Sequence, residues 1–219
     1  MTVSKRFTSL VVAIAIVCFC SFASAALITV EPDDFAPGTI LNNAVPGVQL
    51  SAFGSGTTFP LDSFDVIATL TPVGPQWADA PTGRLVFGNE SSDFNWGWYS
   101  TEHQFRADFD SPTDFVSILV RSDGVEDVEP VIIEVFDLSD TLLASISQTV
   151  ALTVETFDFS RPSADVAYMI ARNPDGSPLH SFYLDKLVFN SNDSPVPEPA
   201  SLALLGLGLA GLGYVRRRH

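Results

Sequence analysis

The stretch Phe105-Arg-Ala-Asp-Phe-Asp-Ser-Pro-Thr-Asp-Phe-Val-Ser-Ile-Leu-Val-Arg121 decides the fold class. Phe105, Ala107 and Phe109 alternate with Arg106, Asp108 and Asp110, the period of two that belongs to a strand with one buried face. Ser111-Pro112-Thr113 is built of turn residues and is expected to reverse the chain, and Phe115–Arg121 follows as a second, more apolar strand. Downstream, Asp123-Gly124 turns the chain again and opens an acidic loop through Glu126, Asp127 and Glu129. Val131–Phe136, Leu142–Ser147, Thr153–Phe159, Val166–Ala171 and Phe182–Phe189 read as further strands. Upstream, Leu27–Glu31, Gly47–Ala52, Phe64–Leu70 and Arg84–Phe87 read the same way. That is roughly ten strands at the 8–12-residue spacing of a sandwich. Leu138–Gln148 is the nearest helical competitor, but its Thr, Ile and Ser residues are poor helix formers. No repeat recurs along the chain, which argues against a solenoid or propeller. The expectation is an all-β, antiparallel β-sandwich or jelly roll spanning residues 26–190.

Both ends of the chain break this pattern. Lys5 and Arg6 precede an apolar run from Phe7 to Phe22, and Ala23-Ser24-Ala25 is a small-residue cleavage site. Residues 1–25 therefore read as a signal peptide, cut between Ala25 and Ala26. At the other end, Ser191–Pro195 is a polar linker. Val196, Pro197, Glu198 and Pro199 then lead into an apolar run from Ala200 to Val215, closed by Arg216, Arg217 and Arg218. The two prolines hold Glu198 in an extended tripeptide. As a helix, the run behind it would be about 24 Å long, short against a hydrocarbon core of about 30 Å. The arginines are expected to stop translocation and stay on the cytoplasmic side.

Charge and cysteine usage narrow the function further. The 219 residues carry a formal charge of −15. Residues 26–195 hold 25 of the acidic residues and only 6 of the basic ones, a net charge of −19. Nucleic-acid binding needs lysines and arginines to neutralise phosphates, so that partner is excluded as an expectation. Divalent cations and neutral glycans remain compatible. Cys18 and Cys20 are the two cysteines and both lie in the signal peptide. The exported part therefore has no cysteine nucleophile, thiolate metal site or disulfide framework.

Three constellations are candidates for chemistry. Glu31, Asp33 and Asp34 leave the first strand and Asp185 sits in the last. Together with loop carbonyls they could supply the six to eight oxygens that calcium requires; their ordinary reading is solvated acidic surface. Trp96, Trp98 and Tyr99, with Phe94 nearby, could present flat rings to a sugar, although large aromatics on alternate positions more often fill a core. His103 and His180 could belong to a hydrolase, but no G-x-S-x-G elbow or paired metal-ligating histidines accompany them, and no catalytic residue is assigned.

The tail, with Pro197-Glu198-Pro199, apolar helix and arginine cluster in that order, closely resembles the PEP-CTERM sorting domain. That resemblance implies an exosortase-type membrane protease as partner and transient anchoring in the inner membrane. Delivery to the cell envelope, surface or extracellular matrix follows, in company with exopolysaccharide or biofilm material. Glu31–Ile40, Pro46-Gly47-Val48 and Tyr183–Phe189 resemble the first and last segments of carbohydrate-binding β-sandwiches, some of which hold a structural calcium between those strands. Lys186 departs from that pattern, where an Asn is usual. The leading expectation is a non-enzymatic exported protein. A glycan-binding module and a secreted hydrolase are the rivals.

Overall fold

The computed structural model describes residues 26–54, 63–71, 79–90, 95–96, 99–100, 103–122, 129–174 and 181–191. The expected signal peptide, the sorting tail with its helix and the Asp123–Asp127 part of the acidic loop lie outside them. Fourteen strands are described: β1 (Ala26–Val30), β2 (Val48–Gly54), β3 (Ser63–Phe64), β4 (Val66–Leu70), β5 (Leu85–Glu90), β6 (Asn95–Trp96), β7 (Tyr99–Ser100), β8 (His103–Thr113), β9 (Phe115–Ser122), β10 (Glu129–Phe136), β11 (Leu142–Val150), β12 (Glu155–Ser160), β13 (Val166–Arg172) and β14 (Ser181–Ser191). One 3-10 turn, Pro32–Asp34, follows β1. Among the described residues no helix is long and apolar enough to cross a membrane.

The strands form two antiparallel sheets within one compact unit, Ala26–Asn192. The first runs β12-β9-β14-β5-β4, with β1 and β7 also on β14 and β6 on β5; the second runs β11-β10-β13-β8-β2-β3. Inward residues alternate as the sequence pattern requires. Phe105, Ala107 and Phe109 of β8 are buried with Val131, Ile133 and Val135 of β10 against Phe87, Val116, Ile118 and Phe189 of the facing sheet. Rings meet across the sandwich at Phe87–Phe105, 5.3 Å between centroids, and Phe109–Phe189, 5.0 Å. Each fully buried Phe of this kind contributes about 1.5–3 kcal/mol relative to exposure.

Two local expectations are corrected. Ser111-Pro112-Thr113 does not turn the chain, because β8 continues through it to Thr113 and the reversal falls at Asp114. The ladder to β13 slips there, from Tyr168↔Asp108 to Val166↔Thr113, and proline is tolerated in a strand at such an irregularity. Phe64–Leu70 is not one strand. β3 pairs with β2 in the second sheet and β4 with β5 in the first, so the chain changes sheets at Asp65. Asn42 pins this crossing, its amide donating to Asp65 at 2.7 Å and its carbonyl oxygen accepting the Val66 N–H at 2.8 Å. The last strand also runs to Ser191, one residue into the expected linker.

Candidate metal centre

β14 is the longest member of the first sheet, and one of its edges is shared end to end by different strands. Phe182 pairs with Tyr99 of β7, Leu184 with Phe87 of β5, and Leu187 to Ser191 with β1. Between the β5 and β1 contacts the edge has a seam at Asp185-Lys186. On the other edge, pairing to β9 jumps from Asp185↔Leu119 to Val188↔Ser117, so β14 bulges at the same place. Lys186 adopts φ +42, the left-handed region that costs a side-chain-bearing residue energy.

Three of the four acidic residues singled out from sequence meet at this seam. Candidate ligand oxygens of Glu31, Asp33 and Asp185 all lie within 4.8 Å of one another. Asp185 is fully buried, Glu31 half-buried and Asp33 exposed, so the group reaches from the core to the surface. Asp34 is exposed and lies outside the group. The 3-10 turn that begins at Pro32 separates Asp33 from its neighbour, a short-range consequence that the run Glu-Pro-Asp-Asp does not reveal.

The segment entering β5 completes the site, and it was not among the residues singled out. The Thr82 N–H and hydroxyl both approach Asp185 Oδ2 at 2.8 Å, and the same hydroxyl lies 3.0 Å from Glu31 Oε1. The Lys186 N–H donates to Asp185 Oδ1 at 2.8 Å. Asp33 accepts the Arg84 N–H at 2.9 Å and the Leu85 N–H at 3.2 Å. Gly83, at φ +45, lies so close to the Asp33 carboxylate that a Cβ there would overlap it. Only glycine lets this loop close over the acid.

The hydrogen bonds do not balance the charge. A threonine hydroxyl has one proton, so it donates to Asp185 or to Glu31 and leaves the other contact as two facing acceptors. The ion pairs among the described residues, Arg106–Asp108, Arg161–Asp165 and Arg172–Glu134, do not involve the group. Burial above all, and then the neighbouring Glu31 charge, push the Asp185 carboxyl up against the opposing pull of the Thr82 hydrogen bonds, to about 8 in all. Such a site is relieved by a proton on Asp185 or by a cation among the oxygens. Three carboxylates and the Thr82 hydroxyl are hard oxygen donors, the kind of ligand that calcium takes.

The other singled-out residues fall differently. β6 sets Trp96 opposite Asn89 of β5, and β7 sets Tyr99 opposite Phe182 of β14. Trp98 and His180 lie outside the described residues, and His103 opens β8.

The C-terminal stretch supplies the decisive comparison. A family model described as the PEP-CTERM protein-sorting motif matches residues 195–218. The chain carries a PEP-CTERM sorting motif. This motif marks an exported protein, and it matches the stretch from the linker end through the last arginine. No curated protein matches the chain in sequence. Among solved structures, the chain with the PEP-CTERM motif is similar to the K2 cleaved adhesin domain of Lys-gingipain, at 11% identity and TM-score 0.47, covering 76% of this chain and 100% of that one. It is also similar to the CBM22-1 xylan-binding domain from Paenibacillus barcinonensis Xyn10C, at 7% identity and TM-score 0.43, covering 78% and 97%. A variant of the family 29 carbohydrate-binding module CBM29-2 stands at 9% identity and TM-score 0.40, covering 75% and 91%. These are distant likenesses of shape.

Proposed function

We propose that this chain is a non-enzymatic protein of the cell envelope or extracellular matrix. It is exported by its N-terminal segment, retained briefly in the inner membrane by its C-terminal helix, and cut by an exosortase-type protease at Pro197-Glu198-Pro199. The match of the PEP-CTERM motif to residues 195–218 carries this reading. The strongly acidic, cysteine-free sandwich fits it, since it depends on neither a reducing compartment nor a disulfide. Replacing Pro197, Glu198 and Pro199 by alanine tests it. The variant is expected to be exported but to accumulate uncut in the inner membrane. Its normal release into the medium would overturn the processing role.

In this role the acidic seam serves as a calcium-dependent strut. Glu31, Asp33 and Asp185 would hold the ion with Thr82 beside them, and the ion would supply the positive charge that the site lacks. Glu31 and Asp33 follow β1, Asp185 belongs to β14, and Thr82 leads into β5, so an ion there ties β14 to the two strands that meet end to end along its edge. Extracellular calcium modules bind with Kd of about 10⁻⁴–10⁻³ M. A site of that strength fills only after export, which couples the rigidity of the sandwich to its destination.

A further inference from the structure

Sheet edges are templates for pairing with another chain, and folded proteins ordinarily blunt them with charge, proline, short length or a covering segment. This sandwich blunts most of its edges. β3 has two residues. β4 is covered by residues 38–41: Gly38 and Leu41 donate to its carbonyls, and Ala68 donates to Thr39. β12 carries Glu155 and Asp158. β1 is uncharged but only five residues long.

β11 is different. It is nine residues long, Leu142-Leu-Ala-Ser-Ile-Ser-Gln-Thr-Val150, without charge or proline. It pairs with β10 on one side and ends the second sheet on the other, with no further strand partner among the described residues. Its Ala144 and Ile146 pack on the core edge, while Ser145, Ser147, Gln148 and Thr149 are exposed.

The flanks of β11 say what fits this edge. Four of the seven large exposed hydrophobics among the described residues bracket β11: Leu138 (78% exposed) and Leu142 (49%) at its start, Leu152 (46%) and Val154 (39%) past its end. A second copy placed antiparallel about a two-fold axis at Ile146 sets Leu142 opposite Val150 and Ser145 opposite Ser147, and brings the start of β11, with Leu142, to the end of the partner's β11, which Leu152 follows. The exposed apolar groups of one end thereby meet those of the other end, the self-complementarity that a two-fold interface requires. The paired strand residues carry hydroxyl, amide and apolar side chains and no charge of their own, while the Glu155 carboxylate lies beside the edge, accepting from the Gln148 amide at 3.3 Å.

We propose that β11 is a self-association edge, through which two copies join their second sheets into one continuous antiparallel sheet. This assignment is independent of the calcium strut and of the sorting tail.

The full chain, purified in mild detergent, tests it by light scattering with separate determination of protein mass. A protein dimer is expected, and it should tighten as salt rises from about 0.02 to about 0.5 M and screens the net charge of −15 that each copy carries. Replacing both Ser145 and Ser147 by Lys sets like charges across the axis and should weaken association roughly tenfold or more. The same change at the exposed Thr156 of β12 should leave the dimer intact. Unchanged thermal melting verifies that the double variant folds. Should it not fold, Leu138→Ser, in the exposed turn, is expected to weaken the dimer without touching a strand. A monomer at about 100 μM wild-type chain, where a dimer of micromolar Kd would be nearly fully formed, overturns the proposal. So does a dimer indifferent to both β11 variants, which would place the contact in the tail.

Discussion

At the scale of single residues, Asp185 carries the most informative chemistry. In the ion-free protein it keeps its proton up to about 8, whereas in the unfolded chain it ionises in the ordinary carboxylate range. The native state therefore binds the extra proton between those limits. The stability contributed by this group is complete below the ordinary carboxylate range and is lost as pH rises toward 8. Thermal melts of the ion-free chain are expected to fall in temperature from about pH 5 to about pH 8, with the fall removed by saturating calcium. Asp185→Asn should flatten the pH profile and abolish the calcium response together; a variant that keeps both would show that another group titrates. Gly83→Ala meets two obstacles, a left-handed backbone and the Asp33 carboxylate. It is expected to cost about 1–2 kcal/mol from the backbone term alone, read as a lower denaturation midpoint with an unchanged m-value. Lys186, also left-handed, is the opposite case, and Lys186→Gly should stabilise by about 1 kcal/mol in the same assay.

At the scale of elements, the strands were legible and their joints were not. Phe105, Ala107 and Phe109 announced β8 because an inward face must be apolar whatever the topology, and the same logic located β9, β10, β13 and β14. Pro112 misled because turn chemistry is local, while the slipped ladder that accommodates it depends on β13. The sheet change at Asp65 was invisible because Phe64 and Val66 are apolar on both sides of it. It is fixed by Asn42, more than twenty residues earlier. Asn42→Ala leaves the Val66 N–H and the Asp65 carboxylate without their partner and is expected to cost about 1–3 kcal/mol, measured by chemical denaturation; a change below about 0.5 kcal/mol, the scatter of neutral surface substitutions, would mean that β4 is held by its ladder alone. The candidate site divides along the same line. Its carboxylates stood out by charge, flanking the first and last strands. Thr82, Gly83 and the N–H groups of Arg84 and Leu85 did not, because the seam needs backbone groups and a missing Cβ, which carry no compositional signal.

At the scale of the whole molecule, the strongly acidic sandwich gathers three carboxylates at one seam, where a bound cation would neutralise them. Ion binding to the native state alone raises stability by RT ln(1 + [L]/Kd), about 2.7 kcal/mol at 100-fold excess over Kd. It acts where β1, β14 and β5 meet, so the gain should register in global unfolding rather than in a local loop. Magnesium, which holds its waters and demands a tighter octahedral shell, should stabilise less at equal concentration. The most direct test is the melting temperature of the chain at about pH 8, where Asp185 is free to ionise, in chelator and then in millimolar calcium. The predicted result is a rise of several degrees in the wild-type chain and none in Asp185→Asn. An identical wild-type melt with chelator and with calcium would contradict the strut.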